Sequence, residues 1–269
     1  MIYSTSSLTT GLDEVTGGAG DDTITANPFN ALGAAATTLG AFDEIDGGAG
    51  TDTLTIIVND GDANVATADD NNAVQGTVSN VEIININNAT AASPAAVNAA
   101  SLGSAAEQVW QWGAHGDVTG LAATTTAGFK STALTAAAAT TVAGSSSAGT
   151  VNVALDKVTG DTVGLATVAT LAVDGASLSG VVVSGNIKLT TGTYASALSL
   201  SVDVGATGSV SNKALSVTTD QTTTLAVTTA TAATTITSLD ASTSTGGITF
   251  IGNTALASVT TGTGKDDIQ

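Results

Sequence analysis

Apolar positions along this chain come in short runs, and most of them alternate with polar ones at period two. V-N-V-A-L at 151–155 and S-L-S-V-D-V at 199–204 are clear cases. Successive side chains of a strand point to opposite faces, so this alternation marks strands with one buried face. Further runs cover Thr53–Val58, Val81–Ile86, Thr150–Leu155, Val168–Val173, Leu178–Val183, Leu198–Val204, Leu215–Thr218, Leu225–Thr228 and Ile248–Ile251, about 8–20 residues apart. Gly, Ser, Asn and Asp separate them, which is the rhythm of an all-β solenoid, sandwich or barrel. Only Ala95–Ala106 reads as helix. The chain has two prolines, so few strands are forced to sheet edges.

Internal repetition narrows the choice. Residues 13–25 read D-E-V-T-G-G-A-G-D-D-T-I-T and residues 43–55 read D-E-I-D-G-G-A-G-T-D-T-L-T, an offset of 30 positions. Each copy holds one glycine–aspartate nonapeptide. The first consists of Gly17, Gly18, Ala19, Gly20 and Asp22, followed by Ile24. The second consists of Gly47, Gly48, Ala49, Gly50 and Asp52, followed by Leu54. A degenerate nonapeptide precedes each in the same frame: Gly11, Asp13 and Val15 before the first, Asp43 and Ile45 before the second, with Ala41 in the glycine place. A third motif opens with Gly262, Gly264, Asp266 and Ile268, where Thr261 replaces the first glycine and the chain stops in mid-repeat, as in a fragment of a longer protein. Two nonapeptides make 18 residues, and the remaining 12 of the offset, Asn27 to Thr38, form an inserted loop. Without that loop the Gly17–Asp22 turn lies directly beneath the Gly47–Asp52 turn.

Composition favours a thin body. Aromatics are 3% although apolar residues are 42%, so Ala, Val, Ile and Leu rather than large rings must fill the core. Small β-branched side chains suit an elongated stack in which each layer buries its apolar face on the next. The 23 acidic residues against 5 basic ones, all lysine, give a net charge of −18. That balance excludes nucleic-acid binding, which needs clustered cations, and disfavours anionic membrane surfaces. Cysteine is absent, so neither disulfides nor thiolate sites hold the fold. No run of 18 apolar residues exists, so no membrane insertion is expected. The first residues, M-I-Y-S-T-S-S-L-T-T, lack the basic and apolar regions of an N-terminal signal peptide.

The nonapeptide carries a specific chemistry. Glycine turns the chain tightly and exposes carbonyl oxygens, the aspartate adds a charged oxygen, and the apolar residue two places on points inward. Ca²⁺ takes six to eight hard oxygens in flexible geometry. One turn supplies half of such a shell, so the ion would sit between two stacked turns. The candidate ligand positions are therefore Gly11, Asp13, Gly17, Gly18, Ala19, Gly20, Asp22, Asp43, Gly47, Gly48, Ala49, Gly50, Asp52, Gly262, Gly264 and Asp266.

At these residues the sequence resembles the RTX calcium-binding family. The segment N-V-E-I-I-N-I-N at 80–87 and T-S-L-D-A-S at 237–242, with Ala/Thr/Ser-rich strands between, give it the look of the RTX-type surface-layer proteins of Gram-negative bacteria and of related RTX adhesins. The resemblance implies type I secretion, folding outside the cell on Ca²⁺, and self-association into a lattice. It also implies contact with a surface glycan or lipopolysaccharide through regions outside this chain. The expected fold is an all-β, elongated parallel β-solenoid of β-roll or β-helix type. Its expected segments are a calcium-binding β-roll over 1–58 with the inserted loop 27–38, an Ala/Thr/Ser/Val-rich solenoid over 59–258, and the start of a further RTX segment over 259–269. The expected role is a structural surface-layer or matrix protein at the bacterial cell surface, with a binding or spacer module of an RTX adhesin as the alternative.

Other features weigh less. Asp60, Asp62 and Asn64 have the spacing of an EF-hand, but Val65 and Asn71 stand where that loop needs Gly and Glu. His115, the single histidine, lies two residues from Asp117 without a nucleophile motif beside it. An enzyme is not expected: uronate chemistry uses Arg, Lys or His, and an anionic polymer would be repelled. Trp110 and Trp112 would share one strand face, either capping the core or meeting another subunit or a glycan. Thr-x-Thr stretches such as Thr53–Thr55 suggest ice binding, but their irregular spacing argues against a flat array.

Overall fold

The computed structural model describes residues 5–27, 31–32, 38–58, 76–88, 96–135, 137, 140–145, 148–163, 166–174, 180–186, 197–203, 213–218, 223–229, 236–245, 247–251 and 256–269. The chain divides into two compact units, Met1–Gly116 and Asp117–Gln269. Both are nearly all-β, with parallel strands in stacked sheets.

In the first unit the chain alternates between two sheets. One holds β1 (Thr5–Ser7), β3 (Thr23–Ala26), β5 (Thr53–Val58), β7 (Ile83–Asn88) and β9 (Gln108–Gly113) in that order. The other holds β2 (Glu14–Thr16), β4 (Glu44–Asp46) and β6 (Thr77–Ser79). Every one of these pairs is parallel. Thr5 faces Thr23, an offset of 23 − 5 = 18, the two-nonapeptide length. Thr23 faces Thr53 and Glu14 faces Glu44, offsets of 30 that absorb the inserted loop. The loop leaves and rejoins at one point, where the Thr38 hydroxyl donates to the Asn27 carbonyl at 2.6 Å.

Register puts like side chains in files. Inward, Ile24, Leu54, Ile84 and Val109 lie one beside the next, each 1% exposed or less. Burying one such side chain contributes about 1.5–3 kcal/mol. A second inward file, Ala26–Ile56–Ile86, ends on Gln111, which is 2% exposed. Both ends of its carboxamide are bonded: Nε2 donates to the Gly116 carbonyl at 2.9 Å, and Oε1 accepts the Gly116 N–H at 2.8 Å. Outward, Thr5, Thr23 and Thr53 form one file, and Ser7, Thr25 and Thr55 the next. The register thus stacks three Thr/Ser-x-Thr/Ser steps that irregular sequence spacing had hidden.

The segment expected as helix, Ala95–Ala106, is instead β8 (Val97–Asn98) followed by a 3-10 turn, Ala99–Leu102. Asn98 Oδ1 caps it by accepting the Ala100 N–H at 3.1 Å, and Gly103 at φ 88° ends it. Ala99 and Leu102, three apart, are the buried pair, as 3-10 geometry requires.

The second unit repeats the scheme. One sheet orders β11 (Thr126–Lys130), β13 (Thr150–Asp156), β16 (Gly180–Asn186), β18 (Lys213–Thr218), β20 (Ile236–Asp240) and β22 (Ser258–Thr260). The other orders β10 (Val118–Leu121), β12 (Thr140–Gly144), β15 (Ala166–Asp174), β17 (Ala197–Asp203), β19 (Thr223–Thr229), β21 (Ile248–Ile251) and β23 (Asp267–Ile268). Those pairs are parallel as well. One antiparallel pair departs from the expected pattern. β14 (Asp161–Val163) folds back on β15, with Val163 facing Ala166. Two residues separate them, too few for the crossover that parallel pairing demands. The core here includes Phe129 and Phe250 beside Leu155, Val142 and Val173, all 1% exposed or less.

Candidate metal centre

The two Gly–Asp turns stack as their spacing implies. The Gly17 N–H donates to the Asp46 carbonyl at 2.7 Å, the Ala49 N–H to the Gly18 carbonyl at 2.9 Å, and the Thr53 N–H to the Asp22 carbonyl at 2.9 Å. Glycine is required by approach, not only by conformation. A Cβ built on Gly17 would run into the Gly47 carbonyl oxygen, and one on Gly47 into the Asn80 carbonyl oxygen. Backbone oxygens therefore line the space a side chain would fill.

Carboxylates fasten each turn twice. Asp22 Oδ2 accepts the Gly18 N–H of its own turn at 2.6 Å, while the Asp22 N–H donates to Asp52 Oδ1 at 2.7 Å. Asp43 repeats the arrangement at the other end of the sheets: Oδ2 accepts the Gly40 N–H at 2.6 Å and Oδ1 accepts the Asp13 N–H at 3.0 Å. Asp13 in turn accepts from the Thr9 N–H at 2.8 Å and the Thr9 hydroxyl at 3.0 Å. Gly40, not position 41, is the glycine that serves Asp43. Asp22, Asp43 and Asp52 are all 2% exposed or less. Charge-assisted bonds of this kind contribute about 1.5–3 kcal/mol each. Asp22→Ala is accordingly expected to lower metal-free stability by about 1–3 kcal/mol, since it removes the buried carboxylate that holds the Gly18 N–H; a urea titration in chelator measures it.

The second turn differs from the first. Residue 46 is Asp where residue 16 is Thr, and Asp46 Oδ1 accepts both the Gly48 N–H at 3.0 Å and Asn80 Nδ2 at 2.8 Å. Gly48 stands at φ 92° and its N–H does not reach Asp52. Asp52 Oδ2 is thereby left buried without a hydrogen-bond partner. It lies 2.7 Å from the point a Gly47 Cβ would occupy, the point that the Asn80 carbonyl oxygen also borders. Two oxygens converge there with no proton donor between them. Burial is the largest cause pushing the Asp52 carboxyl above the ordinary carboxylate range; the hydrogen bond from Asp22 opposes it, and the charges of Glu82, Asp22 and Asp21 add to it.

A third turn continues the stack. It is Ser79-Asn80-Val81-Glu82, shorter and without glycine, with Asn80 at φ 50°. The Gly47 N–H donates to the Ser79 carbonyl at 3.0 Å, and Glu82 Oε2 accepts the Asp52 N–H at 2.7 Å, the role Asp52 plays for Asp22. The motif reading missed Asp46, Asn80 and Glu82. The offset of 30 held the signal for one of them, since 22, 52 and 82 are evenly spaced.

The third motif stacks on a different kind of turn. The Thr263 N–H donates to the Ser244 carbonyl at 3.1 Å, and a Cβ on Gly262 would strike that same oxygen. Asp266 Oδ1 accepts the Ile248 N–H at 2.8 Å. The facing turn, A-S-T-S-T at 241–245, carries no carboxylate. Asp117 likewise serves the backbone, accepting the Thr141 N–H at 2.7 Å. Positions 59–72, with the EF-hand-like spacing, lie outside the described residues.

Among the described residues no three Asp, Glu, His or Cys side chains converge as a metal-binding group. The donors at Gly17 and Gly47 are instead two carboxylates interleaved with backbone carbonyls. That all-oxygen set, with the unpartnered Asp52 Oδ2 within it, fits a hard divalent cation and suits neither a soft nor a nitrogen-ligated one. Comparison with family models, with curated proteins and with solved structures finds no match to this chain.

Proposed function

We propose that this chain is a structural element of a secreted bacterial surface layer, built as a parallel β-solenoid whose Gly–Asp turns close on Ca²⁺. The observation that carries this reading is the buried Asp52 Oδ2, which faces a carbonyl oxygen with no donor between them. A buried carboxylate oxygen and the negative end of a carbonyl dipole repel, and a cation removes the repulsion. Asp22, Asp52 and the carbonyls of Gly47 and Asn80 are the groups that would hold it. Glu82 and Asp46 place those groups by fixing the backbone around them. Calcium would supply the positive charge that lets the carboxylates approach, so its binding free energy becomes folding free energy. At low calcium the net charge of −18 keeps the chain loose enough for export; millimolar calcium outside the cell draws it together. The parallel edges and files of like side chains suit an element that repeats along a lattice.

Solution behaviour tests this. In about 5 mM CaCl₂, millimolar as in extracellular calcium modules, the full chain is expected to melt at least 10 °C higher than in EGTA. It is also expected to form larger assemblies, seen by light scattering, that EGTA dissolves. Coincident melts in the two buffers, with no heat of Ca²⁺ uptake, would remove the basis of the proposal. A calcium-dependent melt with a persistently monomeric chain would favour the adhesin spacer over the lattice subunit.

A further inference from the structure

The acidic residues of the first unit avoid one surface. The outward side chains of β2, β4 and β6 include Glu14, Glu44 and Asp46. Those of β1, β3, β5, β7 and β9 include no charged residue, in a chain with 23 acids. Threonine, serine and asparagine fill most of these five strands' outward positions, and β9 carries an aromatic pair. Trp110 and Trp112 both point outward from β9, each half-buried, while Val109 and Gln111 between and beside them point inward. The register sets Asn85 beside Trp110 and Asn87 beside Trp112. Gln108 Oε1 accepts the Trp110 indole N–H at 2.9 Å, fixing that ring without a charge.

We propose that Trp110, Trp112, Gln108, Asn85 and Asn87 form a binding platform for a neutral polysaccharide chain. A pyranose ring offers C–H groups on its faces and hydroxyls around its edge. Indoles take the first by apolar contact, and carboxamides, each both donor and acceptor, take the second. The two indoles are about 6.6 Å apart along the strand and the carboxamides about 4.8 Å across it, from strand geometry. The hydroxyl files of Thr25 and Thr55 continue the same polar surface. Absence of charge on the outward side of these five strands, within so acidic a chain, offers uronates and sulfated glycans no ion pair. The platform needs nothing from the Gly–Asp turns beyond a folded chain.

These are the only two tryptophans in the sequence, so tryptophan emission, excited selectively over tyrosine, reports this surface alone. The test titrates the full chain, folded in calcium buffer, with cellohexaose, laminarihexaose and chitohexaose, and with polygalacturonate as the anionic control. A saturable emission change is expected with at least one neutral hexasaccharide and none with polygalacturonate. Trp110→Ala should weaken binding roughly tenfold or more, the size of an aromatic anchor. Trp110→Phe keeps the ring and should stay within about threefold of the parent, which separates lost stacking from lost fold. No emission change and no heat with all three neutral sugars overturns the proposal, as does undiminished affinity, measured by calorimetry, in the Trp110→Ala, Trp112→Ala double variant, which has no tryptophan left to report. Ice shaping by the hydroxyl files without sugar binding overturns it too.

Discussion

Gly47→Ala is expected to lower stability by about 3 kcal/mol or more, while Gly18→Ala, in the other copy of the same dipeptide, stays within about 1 kcal/mol. The new methyl at 47 would meet the Asn80 carbonyl, a backbone oxygen that cannot turn aside without moving the turn that carries it. At position 18 the nearest atom to a new methyl is Asp22 Oδ2 at 3.7 Å, an ordinary contact. Gly48→Ala joins the severe class for two reasons: φ is 92°, and the Gly18 carbonyl blocks the methyl. Against a total of about 5–15 kcal/mol, a loss of this size takes away a large fraction of the stability of the fold. Urea melts of the single variants measure the contrast. Equal costs at 18 and 47 would show that the turns are not stacked as described.

Asp52→Asn is expected to act in opposite directions with and without calcium. In chelator the amide satisfies what the carboxylate leaves open. Its oxygen still accepts the Asp22 N–H, and its nitrogen donates to the Asn80 carbonyl. Removing one buried unsatisfied oxygen contributes about 1–3 kcal/mol, so the metal-free variant melts above the parent. With calcium the order reverses, because the variant gains little from the ion. The pH dependence follows from the same group. The Asp52 carboxyl is raised by burial in the folded state, so the folded chain binds its proton more tightly than the unfolded chain does. Its stabilising contribution is present below the ordinary carboxylate range and is lost as pH climbs through the raised value. The metal-free parent should therefore weaken over that climb, and Asp52→Asn should flatten the slope. Differential scanning calorimetry from pH 3.5 to 7.5 in EGTA reads both effects, with about 4–8 °C expected per kcal/mol for a unit of this size.

The strands that sequence located best are those with one apolar and one polar file. Thr53–Val58 and Ile248–Ile251 match in both bounds. In Thr53–Val58 every second side chain is buried, and Leu54 and Ile56 each lie beside isoleucine in the next strand. The strands it passed over have other reasons to be strands. β9 buries Gln111 and turns two tryptophans outward, an inversion of polarity that period-two reading registers as noise. β2, β4 and β6 have three residues each and are held by their neighbours, not by their own pattern. The turns were legible because glycine and aspartate leave a fixed spacing. Their hydrogen bonding was not. Nothing in G-G-A-G distinguishes Asp22, whose Oδ2 accepts from its own turn, from Asp52, whose Oδ2 does not. The difference traces to a residue outside the motif, Asp46, which draws the Gly48 N–H away. The third turn escaped notice because Asn80 adopts the left-handed conformation that glycine usually marks.

The clasp between Thr38 and Asn27 has a bearing on how such a chain grows. Because the excursion between them departs and returns at a single hydrogen bond, its length is decoupled from the register of the strands on either side. Doubling the length of a connection costs only about 0.6 kcal/mol in closure entropy. Peptide tags or whole foreign domains spliced between residues 31 and 32 should thus ride outside the sheets, making this the natural place to display cargo.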